Sequence, residues 1–223
     1  MKMSELSNTS LRFITSGVML GVLAIVIALE HFFPSIHAVR WLSVLVVFGA
    51  MFETLKCFKQ SDSETFNQHS FYFISFFAWL ILMLISAYVV GTRPWIMLWL
   101  LLIIVGADVG GWCFGKLFGG DKMWEKLSEH KTWSGQIGGI LCGTIMSVLF
   151  FLYIKPFGND IVFAILMGIS MSLLSQYGDL TASFIKRKLN IKDFGTLLPG
   201  HGGILDRFDG WIYILPLMWF FIG

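Results

Sequence analysis

The feature that most limits what this chain can become is a series of long, unbroken apolar runs. Seven stand out: Phe13–Leu29, Val39–Phe52, Phe71–Val90, Trp95–Gly115, Gln136–Ile154, Ile161–Tyr177 and Asp206–Ile222. A bilayer core of about 30 Å takes ~20 mostly apolar residues per helix, and shorter runs are tolerated inside a bundle. The runs are continuous rather than alternating, which excludes a transmembrane β-barrel. Of the 223 residues 56% are apolar and only 13% charged, whereas soluble domains carry about 25% charged residues. So few charges exclude a soluble enzyme, a disordered tail and a typical nucleic-acid binder. The expected fold is an all-α polytopic membrane bundle of about seven transmembrane helices. The first run lacks a small-residue cleavage site after it and reads as a retained helix rather than a removed signal peptide. Three cysteines, Cys57, Cys113 and Cys142, lack CxxC spacing. They exclude a disulfide scaffold or cysteine-rich zinc site and are expected to pack as small hydrophobes.

Lysine and arginine set the expected orientation. Thirteen basic residues fall before the first run or after the second, fourth and sixth, while the alternate connections hold only Arg40, Arg93 and Lys155. This asymmetry places the N-terminus and three longer loops in the cytoplasm and the C-terminus outside. His31 and His37 read as interfacial residues, and the polar segment Glu53–His69 as a solvated connector.

Charge inside the runs is confined to a few places. Asp108, in Gly106-Ala107-Asp108-Val109-Gly110-Gly111, lies roughly 10 Å up its helix from Gly115. An aspartate at that depth costs on the order of 2.5 kcal/mol unless paired or neutralised. It is either a structural partner for a lysine or part of a polar pocket opening to the cytoplasm. A second cluster follows the sixth run. Asp179, Ser183, Lys186 and Arg187 recur at i, i+4, i+7 and i+8, one helix face. After Lys192-Asp193 come Pro199-Gly200-His201-Gly202-Gly203 and then Asp206-Arg207-Phe208-Asp209, expected to open the last helix. There Asp206 and Asp209 would share a face, and the glycine pair would let the main chain approach a phosphate. Carboxylates beside lysines and arginines point to a divalent cation bridging phosphates, and Mg²⁺ binds through one or two carboxylates plus substrate phosphates. A polybasic membrane-surface loop is the simpler alternative, but it has no need of four aspartates and a Gly-Gly turn.

At these residues the chain resembles the phosphatidate cytidylyltransferase (CDP-diacylglycerol synthase) family. The likeness runs without a gap from Ser183-Phe-Ile-Lys186-Arg187 through Lys192-Asp193-Phe-Gly195 and Leu198-Pro199-Gly200-His201-Gly202-Gly203 to Asp206-Arg207-Phe-Asp209. Gly178-Asp179-Leu180 fits too. A looser likeness extends from Asp108 through Gly115-Lys116-Leu117-Phe118-Gly119 to Lys131-Thr132-Trp133, with Ser134 where the family commonly has glutamate. Residues 108–223 thus read as the catalytic membrane region and 1–107 as anchoring helices.

The resemblance implies transfer of CMP from CTP to phosphatidate, giving CDP-diacylglycerol and pyrophosphate at the cytoplasmic face of a bacterial inner membrane, and a homodimer as the assembly. It implies catalytic roles for Lys186, Asp179 and Asp206. Metal binding would fall to Asp179 and Asp206, with Asp209 and Asp108 as further candidates, in a two-metal site containing Mg²⁺. Lys131, Ser183, Lys186, Arg187, His201, Gly202, Gly203 and Arg207 would contact substrate. Such chemistry is mostly positioning and charge neutralisation, and phosphatidate's phosphate, already largely ionised, requires no general base. Two other readings are a CTP-dependent polyprenol or phytol-type lipid kinase, which releases CDP, and a membrane transporter. Transporters favour midplane charges and internal repeats; here the other span interiors are bare and no repeat is found.

Overall fold

The computed structural model describes residues 8–124, 128–154 and 160–222. Lys2, Lys126 and Lys155, which entered the charge count, lie outside them. The elements are α1 (Asn8–Phe32), a 3₁₀ turn (Pro34–Ile36), α2 (Ala38–Gln60), α3 (Ser63–Val90), α4 (Pro94–Phe118), β1 (Lys122–Trp124), β2 (Ser128–Thr132), α5 (Trp133–Ile154), α6 (Ile161–Lys188), α7 (Leu205–Phe208) and α8 (Trp211–Ile222). Among the described residues six helices, α1 to α6, are long and apolar enough to cross a membrane. Large side chains such as Leu20, Leu45, Ile74, Val109 and Ile145 are exposed on them, which in water would mark an aggregating surface and here marks one that meets lipid. The chain is an all-α membrane bundle.

Three expectations need correction. The seventh run is not one helix: the chain breaks at Asp209–Gly210, and α8 has 12 residues, about 18 Å of rise. Asp206 therefore lies in the four-residue α7 and Asp209 in the turn before α8, so the two do not share a helix face. The segment Glu53–His69 is not a solvated connector either. Helix α2 continues to Gln60, and α3 begins at Ser63. Asp62 caps α3, accepting from the Thr65 N–H at 2.7 Å and its hydroxyl at 2.8 Å. These bonds hold its carboxyl below the usual aspartate range. The loop after α4 also contains a small antiparallel hairpin, β1 with β2, about which the apolar runs said nothing.

The chain forms two compact units. The first comprises Met1–Thr92 and Ile185–Phe208. Its core is built by α2 and α3 through Val47, Ala50, Phe73, Leu80, Met83 and Ala87, and Phe58 stacks on Phe73 at 4.9 Å. Into this unit folds the stretch after α6, whose Phe194 ring lies parallel to Phe76 at 6.2 Å.

The second unit comprises Arg93–Phe184 and Asp209–Gly223. Lipid tails are as apolar as leucine, so helices in a membrane associate through close packing and interhelical hydrogen bonds rather than through burial from water. Helices α4 and α5 do this with glycine on both sides: Gly106, Gly110, Gly111 and Gly115 face Gly135, Gly138, Gly139 and Gly143. A methyl at Gly110 would fall 2.6 Å from the Gly138 carbonyl oxygen, and one at Gly139 2.8 Å from that of Ala107. A buried relay adds to this, with the Trp99 indole donating to Ser147 at 3.1 Å and the Ser147 hydroxyl to the Ala164 carbonyl of α6 at 2.7 Å.

The two neighbouring glycines of α4 should respond differently to the same change. A methyl at Gly111 meets its nearest atom at 3.5 Å, so Gly111→Ala should be neutral or slightly stabilising. Gly110→Ala forces the helices apart and should cost about 1–3 kcal/mol. Thermal unfolding of the two variants in the same detergent checks this.

Candidate active site

In the second unit the end of the hairpin, α4 and α6 bring charged residues together. The tight α4–α5 packing and the hairpin between them leave Lys131 pointing at α6, where its Nζ lies 2.6 Å from Asp179 Oδ2 and 3.5 Å from the Gln176 carbonyl oxygen. The Asp179 side chain is 41% exposed. One turn on, the Ser183 hydroxyl is 3.5 Å from Asp179 Oδ1. Asp108 lies close enough to feel the charges of both Asp179 and Lys131, so the intramembrane aspartate belongs to this group. Gly178 has a separate reason to be glycine: a Cβ there would run into the Asp209 carbonyl. The main chain of Asp209 thus sits against the residue preceding Asp179, and the Thr181 and Tyr213 hydroxyls, 2.9 Å apart, join α6 to α8 beyond it. Ser134, where the family commonly has glutamate, bonds the Gly119 carbonyl and lies 3.0 Å from the Thr132 hydroxyl. It ties the hairpin to the end of α4.

In the first unit the last turn of α6 meets the glycine-rich stretch. Lys186 Nζ lies 2.8 Å from Asp206 Oδ1, and the aspartate is 4% exposed. The other oxygen, Oδ2, accepts from the Phe194 N–H at 2.8 Å and the Gly203 N–H at 3.0 Å. Lys186 also lies 5.7 Å from the centroid of the Phe194 ring. The turn between is a narrow loop closed by a Leu198–Gly202 bridge. Gly200 and Gly202 have φ of 77° and 87°, values that only glycine adopts without strain. The Arg207 guanidinium donates twice to the His201 carbonyl, at 3.0 and 2.8 Å. His201 Nε2 lies 3.4 Å from the Ser16 hydroxyl of α1. Two further α1 residues hold the turn: Arg12 donates to the Gly200 carbonyl at 3.0 Å and Thr15 to that of Pro199 at 2.8 Å. Arg187 is exposed and lines an open recess of about 380 Å³ with Asn190, Ile191 and Lys192.

Two groups of signature residues therefore emerge, each joining a carboxylate to a lysine. Sequence reasoning missed Glu53, which is 4% exposed and accepts from the Ile204 N–H at 2.6 Å. The signal was present: Val47, Ala50, Glu53 and Thr54 continue one buried face of α2 at helical spacing, past the point where the apolar run stops.

Among the described residues no three His, Cys, Asp or Glu side chains gather as a cation cage. Mg²⁺ needs none, because it takes one or two carboxylates and completes its shell with phosphate and water. The part-exposed carboxylate of Asp179 fits such an ion through Oδ1, whose contact is the Ser183 hydroxyl at 3.5 Å, while Oδ2 stays with Lys131. Both oxygens of Asp206 are engaged by protein donors, so it fits only by giving up Lys186.

Comparison with known proteins agrees with the motif. A profile of the cytidylyltransferase family matches residues 1–223, so the likeness extends over the N-terminal helices as well. The chain is 41% identical over 121 residues to a phosphatidate cytidylyltransferase of Staphylococcus haemolyticus (strain JCSC1435), covering 54% of this chain and 46% of that protein. It is 42% identical over 121 residues to that of Staphylococcus aureus (strain COL), with the same coverage. The chain spans about half the length of the curated relatives it matches.

The buried pair can be tested on its own. Asp206→Ala leaves the Lys186 charge and two amides without their acceptor and should destabilise by about 3–5 kcal/mol. Lys186→Met with Asp206→Ala removes the uncompensated charge and should be more stable than Asp206→Ala alone. Melting curves of the single and double variants in detergent measure the difference.

Proposed function

Because the chain belongs to the cytidylyltransferase family, we propose that it transfers CMP from CTP to phosphatidate at the cytoplasmic face of a bacterial membrane. A phosphate oxygen of phosphatidate attacks the α-phosphorus of CTP, the bond to the β-phosphate breaks, and pyrophosphate leaves. The lipid product is CDP-diacylglycerol. The observation that carries this reading is the repeated pairing of acid with lysine on α6: Asp179 with Lys131, and Lys186 with Asp206. Reactants so rich in negative charge need cations that are held in place but not permanently neutralised.

In this reading each lysine shares its charge between a carboxylate and substrate phosphate. Lys131 and Lys186 turn toward phosphate oxygens as substrate arrives, and Arg187, exposed beside its recess, meets the pyrophosphate or the lipid headgroup. Gly202 leaves main chain bare enough for a phosphate to approach, with His201 and Arg207 fixing the turn around it; Gly203, expected to do the same, is buried with its N–H bonded to Asp206. Asp179 would hold the divalent ion in the second unit, with Asp108 and Asp209 as further candidate donors there; Asp206 in the first unit would be a separate candidate that must first give up Lys186. Such an ion, Mg²⁺ in the first instance, would supply positive charge against the triphosphate at these carboxylates. Seating the polar groups at the cytoplasmic ends of the helices gives access to soluble CTP and membrane-bound phosphatidate together. A homodimer completes the proposal.

Protein purified in detergent, supplied with CTP, phosphatidate and Mg²⁺, should release pyrophosphate and form CDP-diacylglycerol. Release of CDP instead identifies a lipid kinase and overturns the reading. Asp179→Asn should lower kcat at least about 100-fold, and chelation of divalent ions should abolish turnover reversibly. Unchanged activity in Asp179→Asn rules out its proposed role.

A further inference from the structure

The stretch that closes the signature is held from outside by a residue of α2 that the motif does not contain. Glu53 lies about 10 Å before the C-terminal end of α2 and is 4% exposed. Burying a carboxylate is expensive unless the surroundings supply donors, and here they come from the main chain. Oε2 accepts from the Ile204 N–H at 2.6 Å. The same carboxylate explains two signature glycines: a Cβ at Gly203 would fall 2.6 Å from Oε2, and one at Gly195 would collide with Oε1. One helical turn further, on the same face of α2, the Cys57 thiol donates to the Phe194 carbonyl at 2.8 Å. Phe194 and Gly203 give their N–H groups to Asp206. Both ends of the glycine-rich stretch are therefore pinned by main-chain bonds, from Asp206 on one side and from α2 on the other.

We propose that Glu53 is a positioning residue, whose carboxylate holds the main chain of Phe194–Ile204 in the shape that presents the turn at His201 and Gly202 to substrate. The glycines at 195 and 203 serve this grip, so α2 is part of the working machinery and not only an anchor. The effect on turnover rests on the proposed CMP transfer; the grip on the loop does not.

The test separates the two. Hydrogen–deuterium exchange on the full chain in lipid nanodiscs compares wild type with Glu53→Ala, Glu53→Asp and Glu53→Gln. Glu53→Ala and Glu53→Asp, which remove or retract the acceptor, should speed exchange in peptides covering 194–205 at least about tenfold, with α4 and α5 unchanged. Glu53→Gln keeps an acceptor oxygen at the same reach and should stay within about threefold of wild type. In the CTP assay Glu53→Ala should raise KM for CTP proportionately more than it lowers kcat, and Glu53→Gln should restore most of the loss. Unchanged exchange over 194–205 in both Glu53→Ala and Glu53→Asp overturns the inference. So does a rise spread equally over α4 and α5, or a Glu53→Gln effect as large as that of Glu53→Ala. If wild type shows the protection but no CMP transfer, the functional reading fails and the grip of Glu53 stands.

Discussion

The first unit depends on one buried contact, the carboxylate of Asp206 against the ammonium of Lys186 at 2.8 Å. A buried ion pair contributes little net stability, because desolvating both charges offsets most of their attraction, but losing one partner is costly. That asymmetry makes the pair a device for fixing shape. Asp206 spends its second oxygen on the N–H groups of Phe194 and Gly203, so the charge that holds the end of α6 also folds the chain after it. The positive-φ glycines at 200 and 202 then close the turn, and Arg207 locks it through the His201 carbonyl. Conformation and charge are set by the same few atoms.

The second unit reaches a comparable result by packing. Glycines on α4 and α5 let the two backbones approach where side chains would hold them apart, and the hairpin between the helices carries Lys131 to Asp179. Asp108 feels both charges, the repulsion of Asp179 ahead of the attraction of Lys131. Gly178 extends the same logic by admitting the Asp209 main chain beside the turn that carries Asp179. Small residues in this protein serve the placement of charge.

The sequence made legible whatever depends on period and local chemistry. Continuous apolar runs announced the membrane helices, and the i, i+4, i+7 spacing placed Asp179, Ser183 and Lys186 along one helix, which α6 carries to Lys188. What it hid depends on tertiary context. The break at Gly210 lies inside an apolar run; a methyl there would sit 2.6 Å from the Ser175 hydroxyl, a contact with α6 that hydropathy does not report. Glu53 looked like the start of a polar connector because its acceptor role is filled by a backbone amide 151 positions away. Saturation of Asp206 by protein donors was equally invisible, since two of its three partners are main-chain groups that no motif spells out.

The central proposal is that Asp179 takes a divalent ion together with the nucleotide. Direct titration with Mn²⁺ tests it without reference to turnover, with the free ion followed by electron paramagnetic resonance on the full chain in nanodiscs, with and without CTP. The account predicts Mn²⁺ binding that tightens when CTP is present and is lost in Asp179→Asn. Binding that ignores CTP, or that persists undiminished in Asp179→Asn, would contradict it.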